Sequence, residues 1–276
     1  MSELITVDGL VTRVYPHGDH DRLIHVVTPD RGRLPVMVKG GQSKRNPMAA
    51  YTQLFTYGNY ELYRKGELYW LRGGSVNHAF YELSCDVTRM ALGAYLCDVT
   101  SDMTAEVNPD MDETVAECAT LLRMLLNSLY ALCRGDKPQA IIKGVFELRA
   151  ASLGGYTPHL TGCALCGSGY PENSYFDIMN GAMICADCQT KRNRLGGLIA
   201  DRRREENGER SIIVPMSSSV LAAVRYALTA PDPKIFSFAL KDREEEIAFG
   251  RVAEAFLLNQ IERGFATLDF YHSVAD

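Results

Sequence analysis

The sequence predicts an α+β, multidomain chain: a small N-terminal β-barrel, then a mostly α-helical domain interrupted by a cysteine-bearing insert. Three observations carry this. The first eighty residues hold β-branched and aromatic runs separated by Gly, Pro and Asp. From Asp86 the apolar period changes to that of helices, and four cysteines fall as two close pairs between Cys163 and Cys188.

Residues 4–14 are rich in Ile, Val, Leu and Thr, and a turn-prone stretch follows, Pro16-His17-Gly18-Asp19-His20-Asp21. Residues 23–28 and 33–39 are the second and third apolar runs. They are separated by Pro29-Asp30-Arg31-Gly32, whose Pro and Gly supply the backbone geometry of a tight reversal. Residues 51–63 and 67–76 give two aromatic-rich runs around Lys65-Gly66. Five short strands in this space suit a closed five-stranded barrel such as the OB-fold, and an SH3-like barrel fits the same pattern.

Beyond Asp86, Val87, Met90, Ala91, Ala94 and Cys97 fall on one helical face, and Val115, Cys118, Leu122, Leu125, Leu129 and Leu132 on another. Asn108-Pro109-Asp110 looks like the entry to that second helix. Residues 139–153 form a third helix, stopped by Gly154-Gly155 with Pro158 beyond. Ser217-Ser218-Ser219 offers N-caps for a helix through Leu228. After the Pro231-Asp232-Pro233 loop a last helix runs over residues 242–263, with Glu244, Glu245 and Glu246 at its start and Arg263 at its end, an order that complements the helix dipole.

Apolar residues make up 46 % and charged residues 23 %, enough to bury a real core and close to an average soluble protein. The start of the chain lacks the basic and apolar run of a secretory signal, and no stretch approaches the roughly 20 apolar residues that cross a bilayer. A cytoplasmic protein with no membrane partner is the expectation. The net charge of −5 is unevenly spread. Residues 1–80 hold ten Arg and Lys against seven acids, whereas residues 81–117 hold nine acids against Arg89 alone. A locally basic module is what steers a polyanion, whatever the whole-chain charge.

Cys163-Ala-Leu-Cys166 and Cys185-Ala-Asp-Cys188 are two Cys-x-x-Cys pairs with eighteen residues between them. Two residues between ligands let a tight turn aim both thiolates at one ion, and a hairpin between the pairs closes the tetrahedron. Tyr175-Phe176-Asp177 and Ala182-Met183-Ile184 can be its strands, with Asn180-Gly181 as the turn. This predicts one structural Zn2+ per chain in a four-cysteine zinc-ribbon insert, with a redox pair as the rival reading. Four thiolates leave no open position for water, so a zinc enzyme is disfavoured. Cys85, Cys97, Cys118 and Cys133 read as buried structural thiols.

No phosphate loop ends in Gly-Lys-Ser/Thr, since Gly40-Gly41-Gln42-Ser43-Lys44 has the wrong order, and neither a His-Glu-x-x-His run nor a serine nucleophile elbow occurs. The chain is expected to be no enzyme. His17, His20 and His25 read as loop and surface histidines.

With these parts in order, the chain resembles the RecO family of bacterial recombination mediators. Gly9-Leu10-Val11, Asp21-Arg22-Leu23-Ile24, Thr28-Pro29-Asp30-Arg31-Gly32 and Val38-Lys39-Gly40-Gly41 are similar to its barrel. Phe146-Glu147-Leu148-Arg149 with Leu153-Gly154-Gly155-Tyr156-Thr157-Pro158 resembles its central helix and exit loop, and Gly181-Ala-Met-Ile-Cys185 its second knuckle. Ile261-Glu262-Arg263-Gly264-Phe265 and Leu268-Asp269-Phe270 resemble its closing segment.

The resemblance implies an N-terminal OB-fold, a helical body and a zinc ribbon. It also implies annealing of single-stranded DNA, engagement of the single-strand-binding protein, and work with RecR to load RecA, with RecF as a further partner, on nucleoid-associated DNA in the cytoplasm. The domains expected are 1–80 (OB-fold, single-stranded DNA), 81–162 with 189–276 (helical), and 163–188 (zinc insert). A basic groove with aromatic platforms holds single strands. The candidates are Arg31, Arg33, Lys39, Lys44 and Arg45, with Gly40-Gly41-Gln42-Ser43 as a flexible loop; a solvated basic loop guarding an edge strand is the other reading. Tyr57, Tyr60, Tyr63, Tyr69 and Trp70 are candidate platforms, about half of which alternation turns inward. Lys191, Arg192, Arg194, Arg202, Arg203 and Arg204 form a second basic run, offset by Asp201, Glu205, Glu206 and Glu209, and read as a solvated loop. A protein-interaction adaptor and an RNA-binding module with a structural zinc are the alternatives.

Overall fold

In the computed structural model, which describes residues 4–108, 112–169, 171–196 and 212–275, five strands close an N-terminal barrel. They are β1 (Leu4–His17), β2 (Asp21–Thr28), β3 (Gly32–Val38), β4 (Thr56–Lys65) and β5 (Leu68–Ala79). Around the barrel the order is β1-β2-β3-β5-β4, with β3 and β5 parallel and the other pairs antiparallel. This is the OB-fold, not the SH3-like alternative.

Closure depends on β1, which pairs with β4 from Leu4 to Leu10 and with β2 from Leu10 to His17. A bulge between Val11 and Arg13 turns the corner between the two partners. Gly9 sits at this corner because a Cβ there would lie 2.6 Å from Val26 Cγ1 and 2.8 Å from the Val27 carbonyl oxygen. Val11, Ile24, Leu34, Val36, Tyr60 and Leu62 fill the interior. Each such side chain contributes on the order of 1.5–3 kcal/mol of hydrophobic free energy. The expected run over residues 51–63 starts late, at Thr56, because a 3-10 turn at Pro47–Ala49 and Phe55, with a positive φ of 66°, close that end of the barrel instead.

Two helices follow, α1 (Val87–Met103) and α2 (Asp112–Arg134). The first is held to the β1 bulge: the Thr12 and Ser101 hydroxyls lie 2.6 Å apart, and Arg13 Nη2 donates to the Asp98 carbonyl at 3.0 Å. Leu92, Tyr95, Leu96 and Val99 are all fully buried, so α1 is covered on several sides, and Val87, expected on its buried face, is 51 % exposed. The apolar stripe of α2 is buried from Cys118 to Leu132, with Val115 half-buried. Residues Glu113–Arg134 are, by length and average composition alone, apolar enough to cross a bilayer, yet half of their most apolar 18-residue window is buried within the protein, as in a core helix. The Asn108-Pro109-Asp110 entry lies partly outside the described residues.

The chain divides into two compact units, Met1–Asp136 with Phe265–Asp276, and Lys137–Gly264. The first unit thus takes in α1 and α2 together with the barrel, to which α1 is held. A C-terminal helix, to be called α7 (Ala266–Ala275), returns to the first unit, where Thr267 donates to Asp98 at 2.8 Å and Phe265 meets Tyr95 edge-on.

The second unit holds α3 (Gln139–Leu153), the strands β6 (Asn173–Asp177) and β7 (Ala182–Cys185), and α4 (Ala186–Gly196). It continues with β8 (Ile213–Ser217), α5 (Ser218–Thr229) and α6 (Arg243–Ile261). The strand order is β7-β6-β8. Between α3 and α6 lies a buried ion cluster in which Lys143 Nζ is 2.8 Å from Glu147 and 2.5 Å from Glu254. Lys143 keeps its proton because the two carboxylates outweigh burial.

His25 departs from its expected place as a surface histidine. It is half-buried beside Tyr15, with ring centroids 5.6 Å apart, and its Nδ1 has no hydrogen-bond partner among the described residues. Burial first, then the Arg33 and Arg13 guanidinium groups, hold it down to about 4. Between pH 6.5 and about 4 the unfolded chain therefore takes up a proton that the folded protein refuses, and stability falls as pH falls. The His25 contribution is expected to reach at most about 1.4 kcal/mol per pH unit in that window. Urea unfolding of His25→Gln beside the wild type should show the flatter profile for the variant.

Candidate metal centre and candidate nucleic-acid interface

The two cysteine pairs arrive from different local structures. Cys163 and Cys166 sit on a turn in which Gly167 N–H donates to the Cys163 carbonyl and Cys163 N–H to the Ser168 carbonyl, both at 2.8 Å. Gly167, with φ 78°, takes the left-handed position that closes this turn. Cys185 ends β7 and Cys188 lies in the first turn of α4, a helix that sequence periodicity missed because it is short and polar. The hairpin between the pairs forms as expected, but its loop is Ile178–Gly181 and not a two-residue Asn180-Gly181 turn, since Asp177 pairs with Ala182. The Asp177 carboxylate accepts from Asn180 N and Nδ2 at 3.2 and 2.9 Å, which stabilises the longer loop.

All four sulfurs lie within 4.8 Å of one another, and Cys166 Sγ is 3.7 Å from Cys185 Sγ. A tetrahedron with metal–sulfur bonds of about 2.3 Å has edges of about 3.8 Å, so the spacing suits one tetrahedral ion. A redox pair uses two neighbouring sulfurs; here both pairs converge on one point, and all four cysteines are free thiols. Burial opposes ionisation of Cys163, but the backbone N–H groups of Cys185, Leu165 and Cys166 outweigh it and bring that thiol down to about 6. Contacts with the Cys166 and Cys185 thiols push Cys188 up to about 12. The Cys163 thiolate thus forms readily while Cys185 and Cys188 resist ionisation, a conflict that a bound dication would remove.

The cluster is backed by core. Phe176 of β6 packs on Phe256 of α6 at 5.3 Å between centroids, and Met183 is fully buried. Behind the first turn, Arg225 of α5 donates from Nε to the Leu160 carbonyl at 2.7 Å, from Nη2 to the same oxygen, and from Nη2 to the Gly169 carbonyl at 2.8 Å. Those two carbonyls flank the Cys163–Cys166 turn. Nothing local in the sequence pointed to Arg225. The strand β8, which adds to β6 through five residue pairs, was also missed, because its run is short and contains Pro215. Of the remaining cysteines, Cys97 and Cys118 are buried as expected, while Cys133 is only half-buried and Cys85 is exposed in a 3-10 turn.

On the barrel, the five candidate cations do not form one group. Lys39, Lys44 and Arg45 lie together at the far end of β3, exposed and in no ion pair among the described residues. Arg33 stands at the near end of β3, about 20 Å of strand away, and its Nη1 donates to the Ser101 carbonyl at 2.7 Å. Arg31 lies 3.8 Å from Asp30. The loop after β3, expected to be flexible, is instead tied down. Asp21 accepts from Gly40 N–H at 2.8 Å, Gln42 Nε2 donates to the Gly18 and Asp21 carbonyls at 2.9 Å each, and Asn46 Nδ2 donates to the Lys39 carbonyl at 2.8 Å. Side chains of Asp, Gln and Asn substitute here for a regular ladder.

Of the rings, Tyr60 and Tyr69 point into the barrel, whereas Tyr57, Tyr63 and Trp70 are half-buried on its outside. In the second basic run, Arg192 is 3.5 Å from Asp177 and Lys191 and Arg194 are exposed, while residues 201–206 and 209 lie outside the described residues.

Two family models match, "Recombination protein O N terminal" over residues 1–80 and "Recombination protein O C terminal" over residues 85–200. A DNA repair protein RecO from Acetivibrio thermocellus is 25 % identical over 266 residues, 96 % of this chain and 95 % of that protein. One of the same name from Symbiobacterium thermophilum is 28 % identical over 236 residues, 82 % of this chain and 90 % of its own. A third, from Alkaliphilus metalliredigens, is 26 % identical over 185 residues, covering 67 % and 72 %.

Because Arg225 satisfies two backbone carbonyls beside the cysteine turn, Arg225→Met is expected to destabilise the protein by about 2 kcal/mol, read as a lowered urea midpoint. An unchanged midpoint would mean that those carbonyls find other donors.

Proposed function

Because the chain belongs to the Recombination protein O family, a family of DNA repair proteins, we propose that it binds and anneals single-stranded DNA through its barrel and makes or breaks no covalent bond. The observation that carries this reading is the loop after β3, where Lys39, Lys44 and Arg45 are exposed, free of acid partners among the described residues, and held on a backbone fixed by Asp21, Gln42 and Asn46. Three cations on a preorganised loop meet a flexible phosphate chain without first giving up conformational entropy or an existing ion pair. Arg31 and Arg33 stand at the other end of β3 with their guanidinium groups engaged elsewhere, and they are not part of this loop. Annealing requires that charge on two strands be screened while their base edges stay free, and phosphate-directed contacts do this.

In this reading Cys163, Cys166, Cys185 and Cys188 hold one structural Zn2+. When bound, it cross-links the 163–166 turn to the β7–α4 junction and supplies no open coordination position. Family membership supports the remaining expectations: the helical unit docks RecR and the single-strand-binding protein, RecA is loaded as the outcome, RecF assists, and the protein works on nucleoid DNA in the cytoplasm.

Fluorescence anisotropy with a labelled oligo(dT) is expected to show salt-sensitive binding that weakens in the Lys39→Ala/Lys44→Ala/Arg45→Ala variant. Every phosphate that is no longer neutralised lowers the log–log salt slope by roughly 0.7, so the triple change should flatten it by about 2. Equal slopes in the two proteins would sink the loop assignment, and no retention of DNA at low salt would sink the reading in favour of a protein-only adaptor. Metal analysis should return about one zinc per chain, absent from Cys185→Ser, whose thermal midpoint should fall. A metal-free wild type of equal stability would overturn the zinc assignment.

A further inference from the structure

The barrel carries a second feature that the basic loop does not use. We propose that a row of apolar and aromatic side chains across the outer face of β4, β5 and β3 is the stacking platform for the bases of single-stranded DNA, with Trp70 at its centre and Lys65, Arg72 and Lys39 receiving the phosphates. This rests on the single-strand reading above and gives it a face and a set of rings.

The strand register builds the row. Leu4 of β1 pairs with Tyr63 of β4, Tyr63 with Trp70 of β5, Trp70 with Met37 of β3, Met37 with Leu23 of β2, and Leu23 with Tyr15 at the other end of β1. All six have the parity opposite to the inward residues Ile24, Val36, Leu62 and Tyr69, so they stand on the outside. Outward positions on a barrel that meets water are ordinarily polar. Here Leu4 is 49 % and Tyr15 42 % exposed and Tyr63, Trp70 and Leu23 are half-buried, whereas Met37, although outward, is 3 % exposed and offers no stacking surface of its own.

Charge selects the occupant. Two residues along from Met37 on β3 stands Lys39; two along from Trp70 on β5 stands Arg72, exposed at the bulge opposite Glu61; two along from Tyr63 on β4 stands Lys65. All three are exposed, none is in an ion pair among the described residues, and Lys65 Nζ lies 5.5 Å from the Trp70 ring centroid. Glu61 is the one acid among the outward positions of β4, and Glu67 sits in the turn beyond. Tyr63 and Trp70 are thus flanked by Lys65 on one side and by Arg72 and Lys39 on the other, since β4 runs antiparallel to β5 and β3 parallel to it. Rings edged by cations match a chain of bases and phosphates, where a protein surface would more often offer an apolar core with a polar rim. Lys39 also begins the loop that carries Lys44 and Arg45, so the row and the loop form one continuous track.

Trp70 is the sole tryptophan of the chain, so its emission reports the contact directly. Titration of the full-length protein with oligo(dT) is expected to quench it saturably, at the midpoint given by anisotropy, while a duplex of equal length quenches little. Trp70→Ala should weaken binding roughly 10-fold at every salt concentration with the log–log slope unchanged, and Trp70→Phe should restore most of the affinity. Anisotropy binding at wild-type strength with unmoved emission and an unaffected Trp70→Ala variant would overturn the platform and leave the basic loop standing. Absence of any DNA binding would overturn both. An emission change that follows protein concentration without DNA would give the row to a second copy of the chain and overturn the proposal.

Discussion

A single strand that serves two neighbours governs the first unit. β1 pairs with β4 over its first half and with β2 over its second, and the bulge at Val11 and Arg13 joins the halves. Because the period of a strand is two, this irregularity decides which side chains of β1 face inward on either side of it, and two further register shifts between β4 and β5 do the same there. The β1 bulge keeps Val11 in the interior while turning Arg13 out toward Asp98, the contact through which the barrel grips α1. A slip of one residue here would exchange the interior of the barrel with the Leu4–Tyr15 row. The hydrophobic core and the outer surface are therefore two readings of one register.

The second unit answers a different constraint. A short ribbon with few strands buries little of its own surface, and it borrows a core from α6 through Phe176 and Phe256 and from α5 through Arg225. The cysteine cluster is thus supported at both ends: β7 and α4 present Cys185 and Cys188, and the carbonyls held by Arg225 flank the other pair. Cys188 resists ionisation beside the Cys166 and Cys185 thiols, so the protein scaffold, not mutual attraction of the sulfurs, brings the four together.

Much of this was legible in the sequence, for physical reasons that differ by element. Strand positions followed from β-branched and aromatic runs between Gly and Pro, and the bounds of α3 match the sequence to the residue because Pro138 precedes it and Gly154-Gly155 ends it. The cysteine cluster followed from spacing alone. Periodicity failed where burial is not one-sided. α1 is covered on several faces, so the face inferred from Val87, Met90, Ala91, Ala94 and Cys97 is only part of what is buried, and its first residue, Val87, is exposed. It failed also for β8 and α7, which are short and gain their stability from partners distant in sequence. The loop at Gly40–Ser43 looked free because its restraints come from Asp21 and Asn46, and glycine content says nothing about distant acceptors. The outer aromatic row was invisible as a row, since only the register sets Tyr63, Trp70 and Met37 side by side.

The return of the chain to its first unit has a kinetic corollary. Asp98 lies in α1, yet Thr267 and Phe265, which cover that helix, are separated from it by the whole of Lys137–Gly264. On a ribosome the barrel strands emerge early, but α1 waits for well over a hundred residues before its last neighbour is made. The nascent barrel must therefore persist with one flank of that helix bare until residues 265–275 are made and close over it.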